Sequence, residues 1–459
     1  MFGGITFNKK AEQTFATNIA EFAEPEVVTV PLIYHKEQKN SVIVKAGDKV
    51  NVGTLLSKAE SVNAVNIFSP VSGRVAGIIE NFNEEGETLP FVVIQNDKLN
   101  TREQLVPIKA IDQVNIIKRM SDAGLIDQQT KKPCHLKYLS QVDRKIDNLV
   151  IDCVENEPYI NSKLAVLEHF LDKVVMGAGF MALAADVKNI YFVLSQNDTR
   201  YVSMLKEKLS ILEKWGIDCR FCSRNYPSAN YKLIMQTVTK IVLKENETPS
   251  TFGTIIETPH SCLALYEAVS ENKPFYESIV SVYGTDSKIK GNIKIKNGTS
   301  LAFLFNELYG VEDDTSTESQ TEEVKTNVER LKKTAFTDTK KEIRQVVLNS
   351  LLSGLSVASF DLSLGVCTRA VIFLNQTESK SGEEMPCIYC NKCAYVCPMR
   401  LMPMWIDKAL ASDNTNTAVE MGAKTCISCG CCSYVCPSRR QILQRIEILK
   451  KALKETQNG

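Results

Sequence analysis

The sequence predicts a multidomain chain of mixed α/β and α+β class, closed by a small helical module built around metal. Three observations predict it. The 459 residues exceed what one hydrophobic core organises, since domains run to about 100–200 residues. The hydrophobic period switches along the chain from strand alternation to strand–helix alternation and back. Finally, nine of the 15 cysteines lie between Cys387 and Cys436. Such crowding in a chain with no secretory features points to metal rather than disulfides.

Composition narrows the function classes. An apolar fraction of 44% and a charged fraction of 24% are those of a globular protein. Lys plus Arg equals Asp plus Glu at 54 each, so charge gives no support to a nucleic-acid partner. The longest apolar run, Val174–Ala185, falls short of the ~18–20 residues of a membrane span. MFGGITFNKK at the start lacks the apolar core of a secretory signal. A cytoplasmic chain is expected, peripheral on the cytoplasmic face of the cell membrane if associated with it.

Residues 28–95 alternate as strands between glycine turns, with Val44, Val50 and Leu55 of VKAGDKVNVGTLL expected to face inward. The stretch resembles the sandwiched half-barrel of biotinyl and lipoyl carriers. It has no carrier lysine motif, which favours a structural or docking barrel. From about 110 to 245 apolar strands, Ile146–Val154 and Val187–Ser195, alternate with amphipathic helices, the order of a largely parallel sheet. Gly177-Ala178-Gly179 is too isolated for a phosphate loop and is assigned to helix packing. The lone pair Cys219 and Cys222 is read as the end of a strand. They and Cys134, Cys153, Cys262 and Cys367 are expected to be small buried hydrophobes. Short strands, a turn at Asn297-Gly298 and one helix suggest a β-grasp-like unit over 277–312. A polar stretch, Glu312–Thr334, reads as a linker, followed by another α/β segment.

The chemistry sits in two runs. CIYCNKCAYVCP carries Cys387, Cys390, Cys393 and Cys397; CISCGCCSYVCP carries Cys426, Cys429, Cys432 and Cys436. Both are C-x2-C-x2-C-x3-C-P, the spacing of two-cluster ferredoxins, in which the fourth cysteine of each run ligates the other cluster. Two [4Fe-4S] clusters are therefore expected, one on Cys387, Cys390, Cys393 and Cys436, the other on Cys426, Cys429, Cys432 and Cys397. Zinc sites need four ligands per metal and do not require this third-and-fourth spacing twice. Cys431, adjacent to Cys432, is left as a non-ligand.

The order of these parts resembles the RnfC family, a component of the Rnf electron-transport complex, along nearly the full length. The likeness is carried by FGGI (Phe2–Ile5), VKAGDKV, SPVSGRV, VENEPYI (Val154–Ile160), Leu265–Gly284 and the two cysteine runs. It implies a barrel-sandwich hybrid domain over 1–105, an α/β domain like the complex I flavoprotein over 106–270 and a β-grasp (SLBB-like) unit over 271–312. A linker over 313–335, an α/β segment over 336–380 and a helical dicluster ferredoxin-like module over 381–459 complete the chain. In that family the α/β domain binds FMN and accepts hydride from NADH. Here the glycine-rich flavin loop is replaced by DQQTKK (Asp127–Lys132) between AGLI (Ala123–Ile126) and PCHLKY (Pro133–Tyr138). YPSAN (Tyr226–Asn230), PSTFG (Pro249–Gly253) and LNSLLSG (Leu348–Gly354) also depart from glycine-rich family patterns. Bare backbone is what lets a loop approach a phosphate. Glu155, Glu157 and His135 match family positions near the flavin and nicotinamide, and are cofactor-binding candidates only if such a site persists.

The expected function is electron relay as one component of a redox-driven ion-translocating oxidoreductase, without NADH oxidation of its own. The resemblance implies integral-membrane and iron–sulfur partner subunits, with a ferredoxin or flavoprotein as electron donor or acceptor. Two alternatives stand beside it: an active FMN-dependent NADH dehydrogenase component with a remodelled loop, and a docking scaffold for other redox subunits.

Overall fold

The computed structural model describes residues 3–7, 17–128, 130–139, 145–209, 214–245, 247–285, 287–310, 343–357, 359–379 and 382–458. The expected linker 313–335 lies outside the described residues.

In the N-terminal domain, strands Val27–Pro31, Thr88–Asn96, Gly73–Phe82 and Lys49–Val50 form an antiparallel sheet in that order. A second sheet is made by Asn40–Val42, Leu55–Ala59 and Ile67–Phe68. Val28, Val30, Leu32, Val50, Leu56, Val75 and Val92 fill the space between them. Leu56, not Leu55, points into this core, because a register shift between Leu55 and Ser57 breaks the two-residue alternation. The tip joining the two long strands docks on its own chain. Glu84 accepts hydrogen bonds from Thr368 Oγ1 at 2.7 Å and Asn349 Nδ2 at 3.1 Å, and Lys131 bridges Glu84 and Glu85 at 3.4 and 2.9 Å.

The α/β domain has a four-stranded parallel sheet in the order Gly216–Cys222, Asn189–Ser195, Asn148–Asp152, Thr254–Glu257. Cys219 and Cys222 lie in the edge strand of this sheet. The chain starts in the middle and turns back, so the order reverses between Asn148–Asp152 and Thr254–Glu257. Ligands of open α/β sheets bind at the carboxyl ends of strands at such a switch point. Helix Leu171–Ala185 is apolar on all sides and buried. It crosses helix Pro259–Ser270 at Gly177, where a Cβ would stand 2.0 Å from the Cys262 carbonyl oxygen. Thr258 caps that second helix through Ser261 N–H at 3.3 Å, which fixes Glu257 as the last residue of its strand.

The sequence divides 271–312 from 336–380, but one sheet joins them. Its six strands run Ile19–Glu21, Gly291–Lys296, Glu277–Gly284, Ala370–Asn375, Ile343–Leu348, Leu355–Ser356. The expected α/β segment over 336–380 contributes strands Ile343–Leu348, Leu355–Ser356 and Ala370–Asn375 to this sheet, and helix Leu301–Tyr309 packs against it through Leu304, Phe305 and Leu308. Strand pairing across the intervening segment satisfies the backbone of both pieces, which neither achieves alone.

Residues 382–458 form a helical module whose core includes Cys393, Cys432, Ile406, Ala418, Ile442 and Ile446. No helix among the described residues is long and apolar enough to cross a membrane.

Candidate metal centre

The two cysteine runs fold as copies of one another. Helix Lys392–Tyr395 in the first corresponds to Cys431–Tyr434 in the second. Left-handed backbone recurs at matching places: Tyr389 and Ser428 at φ 55° and 57°, Asn391 and Gly430 at 60° and 73°, Arg400 and Arg439 at 56° and 52°. These kinks curl each loop so that amides point at sulfur. Tyr389 N–H approaches Cys387 Sγ at 3.5 Å, Ser428 N–H approaches Cys426 Sγ at 3.4 Å, and Leu401 N–H approaches Cys397 Sγ at 3.4 Å. Such donors stabilise the negative charge of a ligating thiolate.

The runs interlock. Cys387, Cys390, Cys393 and Cys436 line one cavity, so the last cysteine of the second run stands with the first three of the first. Burial, then the charges of Cys436 and Cys387, pushes the Cys393 thiol up. Burial likewise raises Cys397, with Cys429 as its neighbouring sulfur, and Cys432, with Cys426, Cys429 and Cys397 as its neighbours. Cys397 therefore stands among the sulfurs of the second run, Cys426, Cys429, Cys431 and Cys432. Cys431 is fully buried and hydrogen-bonds to Cys429, which lowers the Cys429 thiol and raises its own. Cys431→Ala is expected to retain the full iron content of the parent protein, measured colorimetrically after anaerobic purification.

An ionic latch closes the module. Arg445 holds both carboxylate oxygens of Glu384, at 2.9 and 2.6 Å, and reaches Asp407 at 2.6 Å. Arg440 reaches Asp407 at 2.7 Å. Asp407 is 2% exposed. Lys450, from helix Ile442–Asn458, donates to the Cys426 carbonyl and to Ser428 Oγ, each at 2.7 Å. The cysteine spacing is readable without structure. This latch is not, because its partners come from both sides of the runs and carry no local signature.

The switch point of the parallel sheet is filled by the protein's own charges. Asp152, ending one central strand, pairs with Lys163 at 2.5 Å, and both side chains are at most 1% exposed. Glu257, ending the neighbouring edge strand, pairs with Lys137 at 3.2 Å, and Asp127 pairs with the same ammonium. Lys137 also donates to the Ile256 carbonyl at 2.7 Å. Three amides of the loop Asp127–Lys132 are spent within the loop. Asp127 N–H donates to the Lys132 carbonyl at 2.9 Å, Lys131 N–H to the Asp127 carbonyl at 2.8 Å, and Thr130 N–H to Asp127 Oδ1 at 3.1 Å. An anion arriving here meets carboxylates and occupied donors, where a phosphate site needs free N–H groups.

The three weaker candidates have internal partners. Glu157 accepts from Arg369 at 2.6 Å and from Ser350 Oγ at 2.5 Å. Glu155 accepts from Lys163 N–H at 3.1 Å, and burial pushes its carboxyl up to about 7. His135 Nε2 contacts the Val62 carbonyl at 2.8 Å, and burial lowers its imidazole, so it ties the barrel to the α/β domain. The structure brings Glu155 and Glu157 near one another through Arg369 and Lys163 but sets His135 apart against the barrel.

Residues 1–99 match the RnfC barrel sandwich hybrid domain, 120–267 the Nuo51 FMN-binding domain, and 386–439 the 4Fe-4S dicluster domain. The chain is 22% identical over 406 residues to the C subunit of the proton-translocating ferredoxin:NAD(+) oxidoreductase complex of Clostridium ljungdahlii, covering 87% of this chain and 82% of the relative. It is 22% identical over 410 residues to the C subunit of the Na(+)-translocating ferredoxin:NAD(+) oxidoreductase complex of Acetobacterium woodii, covering 88% and 85%. Among solved structures, a chain of an NAD+-reducing [NiFe]-hydrogenase in the air-oxidized state shares the fold, with TM-score 0.50 and 12% identity over 73% of this chain. Only 63% of the hydrogenase chain is spanned. With three domains in this order, and relatives of the same kind aligned over most of both chains, the protein belongs to the RnfC family.

Proposed function

We propose that this chain is the component of an Rnf-type complex that relays electrons through two [4Fe-4S] clusters and has no working flavin or NADH site of its own. The observation that carries the reading is the interlocked geometry of the cysteine runs, with Cys436 on the cavity of Cys387, Cys390 and Cys393. These four residues would hold one cluster; Cys426, Cys429, Cys432 and Cys397 would hold the other. When bound, such clusters supply single-electron exchange. The chain's own part is to present thiolates and aim amides at them, with Cys393 and Cys432 buried and Cys390 exposed.

The residues at the sheet's switch point do not fit FMN. Asp127 lies on Lys137, Asp152 on Lys163, and the amides of Asp127, Thr130 and Lys131 are used within the loop. Hydride from NADH must be split into single electrons by a flavin or its equivalent, so electrons reach this chain from a partner. A ferredoxin or separate flavoprotein suits that role. Integral-membrane and iron–sulfur subunits would supply the membrane attachment, placing this chain on the cytoplasmic face.

Cofactor content after anaerobic purification tests the reading. About eight iron atoms and matching sulfide per chain are expected, with no flavin released by acid. Stoichiometric FMN would overturn the flavin-free part, and zinc in place of iron would overturn the relay itself.

A further inference from the structure

A short N-terminal segment, Gly3–Phe7, runs between the α/β domain and the metal module and touches both. Ile5 and Tyr226 exchange two backbone hydrogen bonds, each 2.9 Å, and Thr6 Oγ1 donates to Asn225 Oδ1 at 2.7 Å. On its other side Gly4 N–H donates to the Val396 carbonyl at 2.8 Å. Phe7 packs edge-on between Tyr226 and Tyr434, at ring separations of 6.3 and 5.7 Å.

Both glycines are required by this path. Their φ angles are 78° and 85°, and a Cβ on Gly3 would stand 2.7 Å from the Cys397 carbonyl oxygen, one on Gly4 2.6 Å from that of Tyr226. Tyr226 then completes the connection with its side chain, which donates its hydroxyl hydrogen to the Cys429 carbonyl at 2.7 Å. A third contact arrives from the β-grasp side, where Gly430 sits against the Leu352 carbonyl so closely that a Cβ would lie 2.0 Å from its oxygen. These three backbone contacts fall on the loops carrying Cys397 and Cys429, while Phe7 reaches Tyr434 between Cys432 and Cys436. By contrast, Cys390, in the other group, is exposed.

We propose that Gly3–Phe7 and Tyr226 form a clamp that holds the Cys397 and Cys429 loops against the α/β domain and sets the potential of the cluster those cysteines hold, leaving the other cluster outside its reach. The proposal rests on the assignment of two clusters made above. Tyr226 is a positioning residue. It touches the carbonyl of a ligand, and its hydroxyl dipole stabilises added negative charge on that side of the module. Hydrogen bonds of this kind are among the factors that set cluster potentials.

The test is a redox titration of the full-length chain, purified anaerobically and followed by electron paramagnetic resonance, in the parent, Tyr226→Phe and Gly3→Ala. The cluster that survives in Cys436→Ala identifies which signal belongs to the Cys397 and Cys429 group. Tyr226→Phe is expected to move that signal to a more negative potential while the other stays in place. Gly3→Ala, which must displace the Cys397 carbonyl, is expected to alter the g-values of the same signal alone. Tyr226→Phe keeps the ring and carries the test if Gly3→Ala does not accumulate. Unchanged potentials in Tyr226→Phe, or both clusters moving together, would overturn the clamp. Loss of iron from the parent protein itself would instead defeat the two-cluster assignment, so the two failures are told apart.

Discussion

Replacing Cys436 by alanine is expected to remove the cluster held by Cys387, Cys390 and Cys393, not the one held by its own run. Bound iron should fall from about eight to about four atoms per chain. The spectrum that remains should match that of Cys387→Ala and differ from that of Cys397→Ala. The reason is the crossing. Cys436 lines the cavity of the first run's three leading cysteines, while Cys397 has the Cys429 sulfur as its neighbour. A cubane left with three thiolates exposes one iron to solvent and is lost or degraded to a three-iron form. The comparison uses three variants because each predicts a definite partner. If Cys397→Ala and Cys387→Ala gave the same surviving spectrum, the runs would be independent and the crossed pairing wrong.

The second large effect is expected at Asp407. This carboxylate is buried between Arg440 and Arg445, so Asp407→Ala leaves a cavity and only Glu384 to balance both guanidinium groups. Breaking a buried pair by removing one partner costs about 3–5 kcal/mol. The helix Ile442–Asn458, which carries Lys450 to the Cys426 loop, is held by the same latch. Thermal unfolding followed by loss of cluster absorbance should therefore occur at a markedly lower temperature. Replacement of the surface residue Lys408, which has no ionic partner among the described residues, should leave the transition nearly unmoved. Glu384 adds a pH signature. The hydrogen bond from Arg445 holds its carboxyl down to about 2 in the folded chain, against about 4.3 when free. A carboxyl depressed by folding contributes stability above its free value and loses it as pH falls toward the folded one. The module should weaken between about pH 4 and pH 2, and Glu384→Gln should flatten that slope.

How much of this is legible in the sequence depends on how local each signal is. Ligand spacing in the two runs is complete within a dozen residues, so the metal centre can be read directly. The missing glycines of Asp127–Lys132 are equally visible. What stands in their place is not, because Lys137 finds Glu257 and Glu157 finds Arg369 only when distant strands come together. The β-grasp sheet reads as two units for the same reason: strand Ala370–Asn375 pairs in parallel with Glu277–Gly284, and parallel pairing leaves no hairpin signal in the sequence. Alternation misplaces Leu55 by one residue because a register shift leaves hydrophobicity unchanged and only alters which face it lands on. Tyr226 stands out as part of an altered motif, yet its bond to Cys429 spans two domains and has no counterpart in residue spacing.

Under the proposed function, electrons are expected to enter this chain singly, from a partner. Mixing the anaerobic, cluster-loaded chain with NADH in a stopped-flow instrument, and separately with a one-electron donor such as reduced methyl viologen, tests this central claim most directly. The expected result is bleaching of cluster absorbance by methyl viologen and no bleaching by NADH, whether or not free FMN is present. Bleaching by NADH alone, at a rate that saturates with NADH concentration, would contradict it.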